Sequence, residues 1–443
     1  MPTAIQETIT VLELIVQAVP IGTNLGLLTM LWAMLSGSFL SSRGAIFPAL
    51  QANGFDEGQM RRSWSALRYG AWTIEKLIGW WRDYVLSEGE WQGNRYEGYR
   101  PLAVDWTAFW RPQLKGWKGK MYNSLANRAL PGIGFGVVVD VGHVGGQRLP
   151  LLRHVLRIND KDISEKQLKK STLNWVAGVL DEDGIAILDA GVKIAQCQGS
   201  GIKRFVVRLA SNCTGRRNFL PERQQRGRPR EKGDLVRPLA RTRKGKVIAA
   251  SEPDLKRSFT WQEREIQVHG WQHLVTSDRK ADPDNDTFDI WVFFDPAYQD
   301  PLLLATNVAL MPKSVFALYL DRWPVEQVPL AAKQMIGLHR QFVFAPESCL
   351  RLPELALLAG NILTYLAAVL PPMPTGFWDQ HPKKHQDACA GSWHAPIFSL
   401  STKSMVEFAK RTPSLSTYPR GLKGIVAKNG ILDPTHHYSL SVL

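Results

Sequence analysis

The sequence predicts a mixed α/β fold with helical regions at both ends of the chain. Three observations support this prediction: helical spacing of apolar residues in the first hundred positions, strand-like runs that alternate with helices after residue 100, and a return of strand character near residue 289. A chain of 443 residues is too long for one ordinary core, so several domains are expected. Its 44% hydrophobic and 21% charged residues exclude fibrous and disordered proteins.

A helix, a turn and a second helix are predicted within the first hundred residues. They correspond to residues 45–52, Asn53-Gly54-Phe55 and residues 56–69, where an aspartate begins the second helix. Arg61 and Arg68 are seven residues apart and therefore share one face of that helix. The face is either a DNA-reading surface or an ordinary solvated surface, and the sequence favours neither.

From residue 100 onward, strands alternate with helices. The predicted elements are strands at 101–109, 133–144 and 147–158, a helix at 164–180, a strand at 184–189, a further helix and a strand at 204–209. Three strands, a helix, a strand, a helix and a strand is the order expected of an RNase H-like core.

A basic, β-rich segment at residues 213–288 interrupts this core before strands resume at 289–294 and 302–306. Residues 213–280 contain 17 Lys+Arg and eight Asp+Glu, so they carry +9 of the total charge. Within them, Arg226, Arg228 and Arg230 alternate with Gly and Pro, which indicates either an extended clamp on DNA or a disordered basic loop. The predicted domains are an N-terminal helical DNA-binding domain, the first part of the core, the insertion, the second part of the core and a helical C-terminal region, at residues 1–98, 99–212, 213–288, 289–345 and 346–443.

The charge balance indicates a polyanionic partner. The chain carries 54 Lys+Arg against 40 Asp+Glu, a formal net charge of +14. Four scattered cysteines are too few for a disulfide framework, which fits a reducing cytoplasm. Residues 14–42 and 355–370 are apolar, but polar residues such as Gln17 and Asn361 favour buried helices over membrane spans. We therefore expect a cytoplasmic protein without membrane contact.

The sharpest motif begins at Tyr319 and continues with Arg322, Glu326 and Lys333. On one continuous α-helix these four side chains fall within about 60° of one face. A carboxylate among cations suits phosphate chemistry, with Glu326 binding a metal while Arg322 and Lys333 bind phosphates. The alternative is an amphipathic helix that carries a surface Arg–Glu pair.

The spacing Y-x2-R-x3-E-x6-K resembles the signature of the DDE transposases of bacterial insertion sequences, the hairpin-forming cut-and-paste type. The surrounding RWPVEQ and the later KQMIGL are also similar to that family. Pro324 and Pro329 depart from the pattern, because each lacks a backbone donor and should kink the helix. The resemblance covers residues 100–370 well, the N-terminus loosely and the last seventy residues hardly at all.

The resemblance implies two further aspartates, each at a strand of an RNase H-like core. Asp105 lies in LAVDWT, which resembles the family's D-x-T, and Asp189 lies in ILDAG, which resembles its D-x-G. The separations are 84 residues from Asp105 to Asp189 and 137 residues from Asp189 to Glu326. The family fills the second gap with a β-rich insertion, which residues 213–288 would supply.

Other carboxylates compete for these positions. Asp140 also lies on a predicted strand and is the alternative to Asp105, which is favoured by its first-strand position. Asp181 and Asp183 belong to a polar turn and are expected to be solvated. Asp189 could instead cap the helix that follows it.

The resemblance implies a magnesium-dependent DNA transposase and endonuclease. Asp105, Asp189 and Glu326 would hold two Mg²⁺ ions, which Mn²⁺ can replace, for two-metal phosphoryl transfer. Its partners would be double-stranded DNA, as transposon ends with terminal inverted repeats and as target, and a second copy in a synaptic homodimer on the bacterial nucleoid. Cleavage would proceed through a hairpin before the 3′-OH joins target DNA. Tyr319 and Arg322 would contact transposon-end phosphates, and Lys333 the backbone close by.

Three further expectations stay open in the sequence. Trp291 and Tyr298 are candidates to stack on a flipped base, although aromatic residues in strands more often belong to the core. A cluster in the C-terminal region could bind zinc, but its spacing matches no strong finger pattern; it consists of His381, His385, Cys389 and His394. The alternative function is a domesticated or inactive relative that acts as a nuclease or a DNA-binding protein.

Overall fold

The computed structural model describes residues 2–17, 19–111, 113–117, 119–123, 125–157, 164–222 and 230–371. These residues form two compact units. The first unit takes them from Met1–Gly93, Trp106–Leu168 and Pro324–Leu443, and the second from Asn94–Asp105 and Lys169–Trp323.

The helices lie mainly in the first third and the last third of the described chain. In chain order, the α-helices are α1 (Pro2–Gln17), α2 (Thr23–Leu35), α3 (Ser38–Ser41), α4 (Ile46–Ala52), α5 (Glu57–Tyr69), α6 (Ile74–Glu88), α7 (Glu165–Val179), α8 (Ile194–Gly199), α9 (Pro312–Leu320), α10 (Pro324–Leu330) and α11 (Pro346–Val369). A π-helical turn, Ala331–Met335, follows α10 directly.

The strands occupy the middle of the chain. In chain order they are β1 (Trp91–Gly93), β2 (Arg100–Trp110), β3 (Lys120–Asn123), β4 (Arg128–Val144), β5 (Gln147–Arg157), β6 (Gly184–Leu188), β7 (Phe205–Arg208), β8 (Gly215–Arg217), β9 (Leu235–Val236), β10 (Arg241–Arg243), β11 (Lys246–Ile248), β12 (Leu255–Trp261), β13 (Arg264–Thr276), β14 (Phe288–Phe294) and β15 (Leu302–Thr306).

The predicted turn and capped helix in the N-terminal region are confirmed. The Asp56 side chain accepts a hydrogen bond from the backbone N–H of Gln59, and the Gln59 side chain accepts one from the N–H of Asp56, so a capping box begins α5. Helix α5 packs on α2 where Gly26 lies against Ala66, because a Cβ at Gly26 would come within 2.6 Å of the Ala66 Cβ.

In the first unit, β4 is the central strand. Strands β1, β3 and β5 all pair with it in antiparallel fashion, and β2 is its neighbour in the sheet. Helix α11 is long and apolar enough to cross a membrane, but 94% of its most apolar window is buried inside the protein. The prediction of a buried helix at 355–370 is therefore confirmed.

One buried amide joins three elements of this unit. The Asn361 side chain of α11 accepts hydrogen bonds from the Trp81 indole at 2.8 Å and from the Leu152 backbone N–H at 2.9 Å, and it donates to the Pro150 carbonyl at 2.6 Å. Asn361 is fully buried. Since buried polar groups are costly without partners, this amide fixes α11 against α6 and β5.

The second unit contains a large mixed sheet. Its strand order is β2-β6-β7-β15-β14-β13-β8-β9, and β12 pairs with β13. Strands β2, β6 and β7 run parallel, whereas the neighbours from β7 to β9 are antiparallel. Strand β13 comes from the basic segment 213–288 and pairs directly with β14. The mixed α/β class, with a large mixed sheet and helices at both ends, is confirmed.

We expect Asn361→Leu to lower the free energy of unfolding by about 3 kcal/mol, because it leaves two buried N–H groups and a carbonyl without partners. Urea denaturation measures the change. Thr29→Val is the control, since the Thr29 hydroxyl bonds only to the Leu25 carbonyl within its own helix, and it should cost less than about 1 kcal/mol. Equal midpoints for native chain and Asn361→Leu would contradict the role given to Asn361.

Candidate active site

Asp105 lies in β2, and Asp189 directly follows the neighbouring parallel strand β6. Strands β2 and β6 pair from Arg100 opposite Gly184 to Ala103 opposite Ile187. Each aspartate lies two residues beyond the last of these pairs, on the side of the sheet where β6 ends. Adjacent strands are about 4.8 Å apart and alternate residues share a face, so the register predicts that the two carboxylates lie near each other on one face of the sheet.

The Asp189 carboxylate has one hydrogen bond to a tyrosine and two nearby cations. The Tyr319 hydroxyl donates to its Oδ1 at 3.0 Å. The guanidinium of Arg208 is 3.8 Å from Oδ1, and that of Arg322 is 4.0 Å from Oδ2. The Asp189 side chain is 37% exposed. Positive charge therefore surrounds a carboxylate that still faces solvent.

Burial raises the pKa of Tyr319 above its ordinary value, and the negative charge of Asp189 raises it further. The charges of Arg322 and Arg208 act in the opposite direction. The Arg322 guanidinium also lies 5.7 Å from the centre of the Tyr319 ring, within the range of a cation–π contact. The phenol is thus a protonated hydrogen-bond donor at neutral pH.

Asp321 anchors the turn that carries Arg322. Its buried carboxylate accepts a hydrogen bond from the Asn94 amide at 2.5 Å and another from the Tyr96 hydroxyl. Asp321 also ends α9. The segment between β1 and β2 therefore holds the end of α9, which presents Tyr319 and Arg322 to Asp189.

The prediction of one continuous helix through the motif is wrong. Tyr319 lies in α9, Arg322 in the turn after it, Glu326 in the first turn of α10 and Lys333 in the π-helical turn. Pro324 lacks a backbone N–H and is the first residue of α10, a position where that donor has no helical partner. Pro329 removes another donor just before the backbone widens into the π-helical turn. The four side chains therefore do not share one helical face.

Lys333 is held within the first unit. Its ammonium donates to the Thr107 hydroxyl at 2.6 Å and lies 5.3 Å from the centre of the Phe109 ring. Glu326 belongs to the same unit, whereas Asp105 and Asp189 belong to the second. Within the parts of the chain that the structure describes, no group of three or more His, Cys, Asp or Glu side chains is close enough to hold a metal ion.

The donor chemistry of Asp105 and Asp189 fits a hard divalent cation. Mg²⁺ prefers carboxylate oxygens, keeps several water ligands and is commonly held by one or two carboxylates together with substrate phosphates. Two carboxylates, one in β2 and one directly after β6, of which Asp189 is 37% exposed, have this donor chemistry. Glu326 as the third ligand stays a prediction.

The competing carboxylates are engaged in ion pairs. Asp140 lies 2.5 Å from the Arg82 guanidinium and 3.0 Å from that of Arg153. Asp181 is exposed, as predicted, and Asp183 is partly exposed; both bind Arg100, at 2.9 and 2.6 Å. Hydrogen bonding to Arg100 lowers the pKa of Asp183 to about 2. These three side chains have structural partners.

The predicted stacking residues differ in exposure. Trp291 lies in β14 and is only 4% exposed, with its ring against Gly270, so it has no free face for a base in this structure. This burial goes against its predicted role, and the cause is the packing of β14 between β13 and β15. Tyr298 is 67% exposed, and Trp323, directly after Arg322, is 53% exposed.

The predicted DNA contacts outside the motif are partly visible. Arg61 and Arg68 are both exposed on α5, where Arg61 pairs with Glu57 at 2.6 Å. Arg230 is exposed and pairs with Asp234 at 3.0 Å. Two arginines and the histidine–cysteine cluster lie outside the described residues: Arg226, Arg228, His381, His385, Cys389 and His394.

The sequence matches no protein-family model, and it matches none of the curated proteins with which it was compared.

Sequence reasoning missed Arg208, Asp321 and Trp323. Asp321 and Trp323 lie inside the motif itself, next to Arg322, so their position along the chain was a usable signal. Arg208 ends β7, the strand parallel to β6, and its proximity to Asp189 follows only from that pairing.

We expect Asp321→Ala to lower the free energy of unfolding by about 2 kcal/mol, because it leaves the Asn94 and Tyr96 donors without this acceptor. Urea denaturation followed by tryptophan fluorescence measures the loss. Asp300→Ala, at an exposed position of the same unit, should stay within about 0.5 kcal/mol of the native chain. If both variants unfold at the same urea concentration, Asp321 does not anchor the turn.

The raised pKa of Tyr319 gives a pH-dependent prediction. A folded-state pKa above the ordinary value of 10.0 contributes stability that is complete below pH 10 and is lost as the pH rises further. Asp189→Asn should lower this pKa toward 10, because it removes the negative charge. Ultraviolet absorbance titration, with matching Tyr319→Phe chains subtracted, isolates the phenol. An unchanged midpoint would refute the coupling between Asp189 and Tyr319.

Proposed function

We propose that the chain is a DNA transposase that cleaves and joins DNA strands by metal-dependent phosphoryl transfer. The observation that carries the proposal is the register of β2 and β6, which predicts that Asp105 and Asp189 lie near each other on one face of the sheet. Each aspartate has the local sequence that the DDE resemblance requires. Tyr319 and Arg322, from the same resemblance, lie beside Asp189.

The order of strands supports an RNase H-like core. Along the chain, β2, β4 and β5 are followed by α7, β6, α8 and β7. Strand β2 neighbours β4, which pairs with β5, and it also neighbours β6, which pairs with β7. Strand β6 runs parallel to β2, and β7 runs parallel to β6. This is the sequence of elements that the fold requires.

Asp105 and Asp189 would hold Mg²⁺, with Glu326 as the proposed third ligand. When bound, Mg²⁺ would lower the pKa of the attacking water or 3′-hydroxyl and stabilise the leaving oxygen. The protein supplies positive charge and orientation. Arg208, half-exposed and 3.8 Å from Asp189, is the proposed contact to a backbone phosphate that approaches this carboxylate. The buried Arg322 guanidinium, 4.0 Å from Asp189, adds positive charge to the site.

Tyr319 keeps its proton at neutral pH and therefore acts as a donor, either to Asp189 or to a phosphate oxygen. Trp323 offers an exposed ring next to Arg322 for an unstacked base, and Tyr298 offers another. Both support the proposed handling of a flipped base better than the buried Trp291 does.

The proposed partner is double-stranded DNA, first as transposon ends and then as target. The net charge of +14 supports it, because neutralised phosphates release counterions and drive binding. Exposed Arg61 and Arg68 on α5 are proposed contacts to the terminal repeats. A homodimer on paired ends is part of the same proposal.

The test is cleavage of a plasmid that carries the gene with its native flanking DNA. Asp105→Asn, Asp189→Asn and Glu326→Gln should each reduce Mg²⁺-dependent nicking by about 100-fold or more, because each removes a metal ligand. DNA binding should persist in all three. Mn²⁺ should replace Mg²⁺, and a chelator should stop the reaction.

Asp181→Asn is the matched control, since this exposed carboxylate lies at the opposite end of β6 and pairs with Arg100. It should cut like the native chain. A triad variant that cuts normally would remove that carboxylate from the site. A native chain that binds the flanking DNA but never cuts it would instead identify a catalytically inactive DNA-binding protein.

A further inference from the structure

A small basic hairpin stands apart from the main sheet of the second unit. Strands β10 and β11 pair only with each other among the described residues, with Arg241 opposite Ile248, Thr242 opposite Val247 and Arg243 opposite Lys246. Lys244 and Gly245 join them with φ of 50° and 74°. Two successive residues with positive φ are the signature of a tight type I′ turn, so the tip has a defined shape.

The hairpin is exposed on both faces. Every residue from 242 to 247 is exposed, and Val247 reaches 77%. At its base, the Arg241 guanidinium donates to the Asn212 carbonyl at 3.0 Å. An isolated two-stranded ribbon is only marginally stable in water. Its presence without a packed face indicates a surface that another molecule covers.

The charges at the tip repel one another. Arg243 lies directly opposite Lys246, and Lys244 lies in the turn between them. Like charges in a cross-strand pair destabilise a hairpin. Residues 235–251 contain no Asp or Glu, and in the part of the chain that the structure describes these three side chains form no ion pair. A polyanion would relieve this repulsion.

Two other lysines of the same segment are paired with glutamates. Lys256 pairs with Glu252 at 2.7 Å, and Lys280 pairs with Glu231 at 2.8 Å. The hairpin tip differs from these lysines because its three cations, Arg243, Lys244 and Lys246, are concentrated at one turn. They can bind a phosphate without first losing a carboxylate partner.

The dimensions of the β10–β11 hairpin fit the major groove of B-form DNA and not the minor groove. Two strands about 4.8 Å apart, with side chains on both faces, are roughly 10 Å across, and three residues per strand extend about 10 Å. The major groove of B-form DNA, about 12 Å wide and 8.5 Å deep, admits such a ribbon, whereas the minor groove, about 6 Å wide, does not.

We propose that the hairpin Arg241–Ile248 binds in the major groove of double-stranded DNA, where Arg243, Lys244 and Lys246 contact phosphates on its walls. This proposal rests on the proposed function only for the identity of the polyanion. A-form RNA has a deep, narrow major groove that side chains cannot enter, so duplex RNA should bind the hairpin less well.

The test compares two double variants that each remove two lysine charges. Fluorescence anisotropy with a 30-base-pair DNA duplex, without divalent metal, should show about tenfold weaker binding for Lys244→Gln with Lys246→Gln, and a slope of log K against log salt that is smaller by about 2. Lys256→Gln with Lys280→Gln is the control and should change the affinity less than twofold. Equal losses in the two variants would mean that net charge alone matters and would overturn the proposal.

Gly245→Val tests shape at constant charge. A β-branched residue resists a φ of 74°, so the variant should distort the turn and also weaken binding. Native affinity in this variant, or duplex RNA bound as tightly as DNA, would overturn groove insertion. If the native chain binds DNA through the hairpin but does not nick it, only the proposed transposase activity is refuted. A native chain that binds no DNA duplex would refute both proposals.

Discussion

The candidate site depends on the parallel pairing of β2 with β6. Alternate residues of a strand face opposite sides of a sheet, so a shift of one residue in this register would turn one aspartate away from the other. The pairing of Ala103 with Ile187 therefore decides whether Asp105 and Asp189 can act together. Buried apolar residues along both strands hold that register, since a slip would bring polar groups into the core.

The prolines of the motif divide its chemistry between separate pieces of backbone. Helix α9 ends at Leu320, and a new helix begins at Pro324, which cannot donate a backbone hydrogen bond to α9. Asp321 holds the turn between them by accepting hydrogen bonds from Asn94 and Tyr96. Tyr319 and Arg322 thereby reach Asp189 from the end of a helix. Past Pro329, the π-helical turn places Lys333 on Thr107 instead. The four motif residues therefore do not lie on the single helical face that their spacing predicted.

Strand positions were predictable because short apolar runs between turn residues have few alternatives. The predicted strand at 302–306 agrees with β15 at both ends, and that at 184–189 agrees with β6 to within one residue. Neighbours across the sheet were not predictable. Arg208 approaches Asp189 because β7 pairs with β6, and the Trp291 ring lies against Gly270 because β13, from the basic segment, pairs with β14. Both facts depend on contacts between residues far apart in sequence.

The distances from arginine nitrogens to carboxylate oxygens distinguish Asp189 from Asp140 and Asp183. Asp140 and Asp183 have arginine nitrogens at 2.5–3.1 Å, so both carboxylates are held in close ion pairs. At Asp189 the two arginines stop at 3.8 and 4.0 Å, beyond that range, and the carboxylate remains 37% exposed. Such an arrangement leaves oxygen lone pairs of Asp189 accessible to another cation. The structural aspartates are thus paired with arginines by direct contact, whereas the direct contact of Asp189 is with the Tyr319 hydroxyl and its arginines stay farther away.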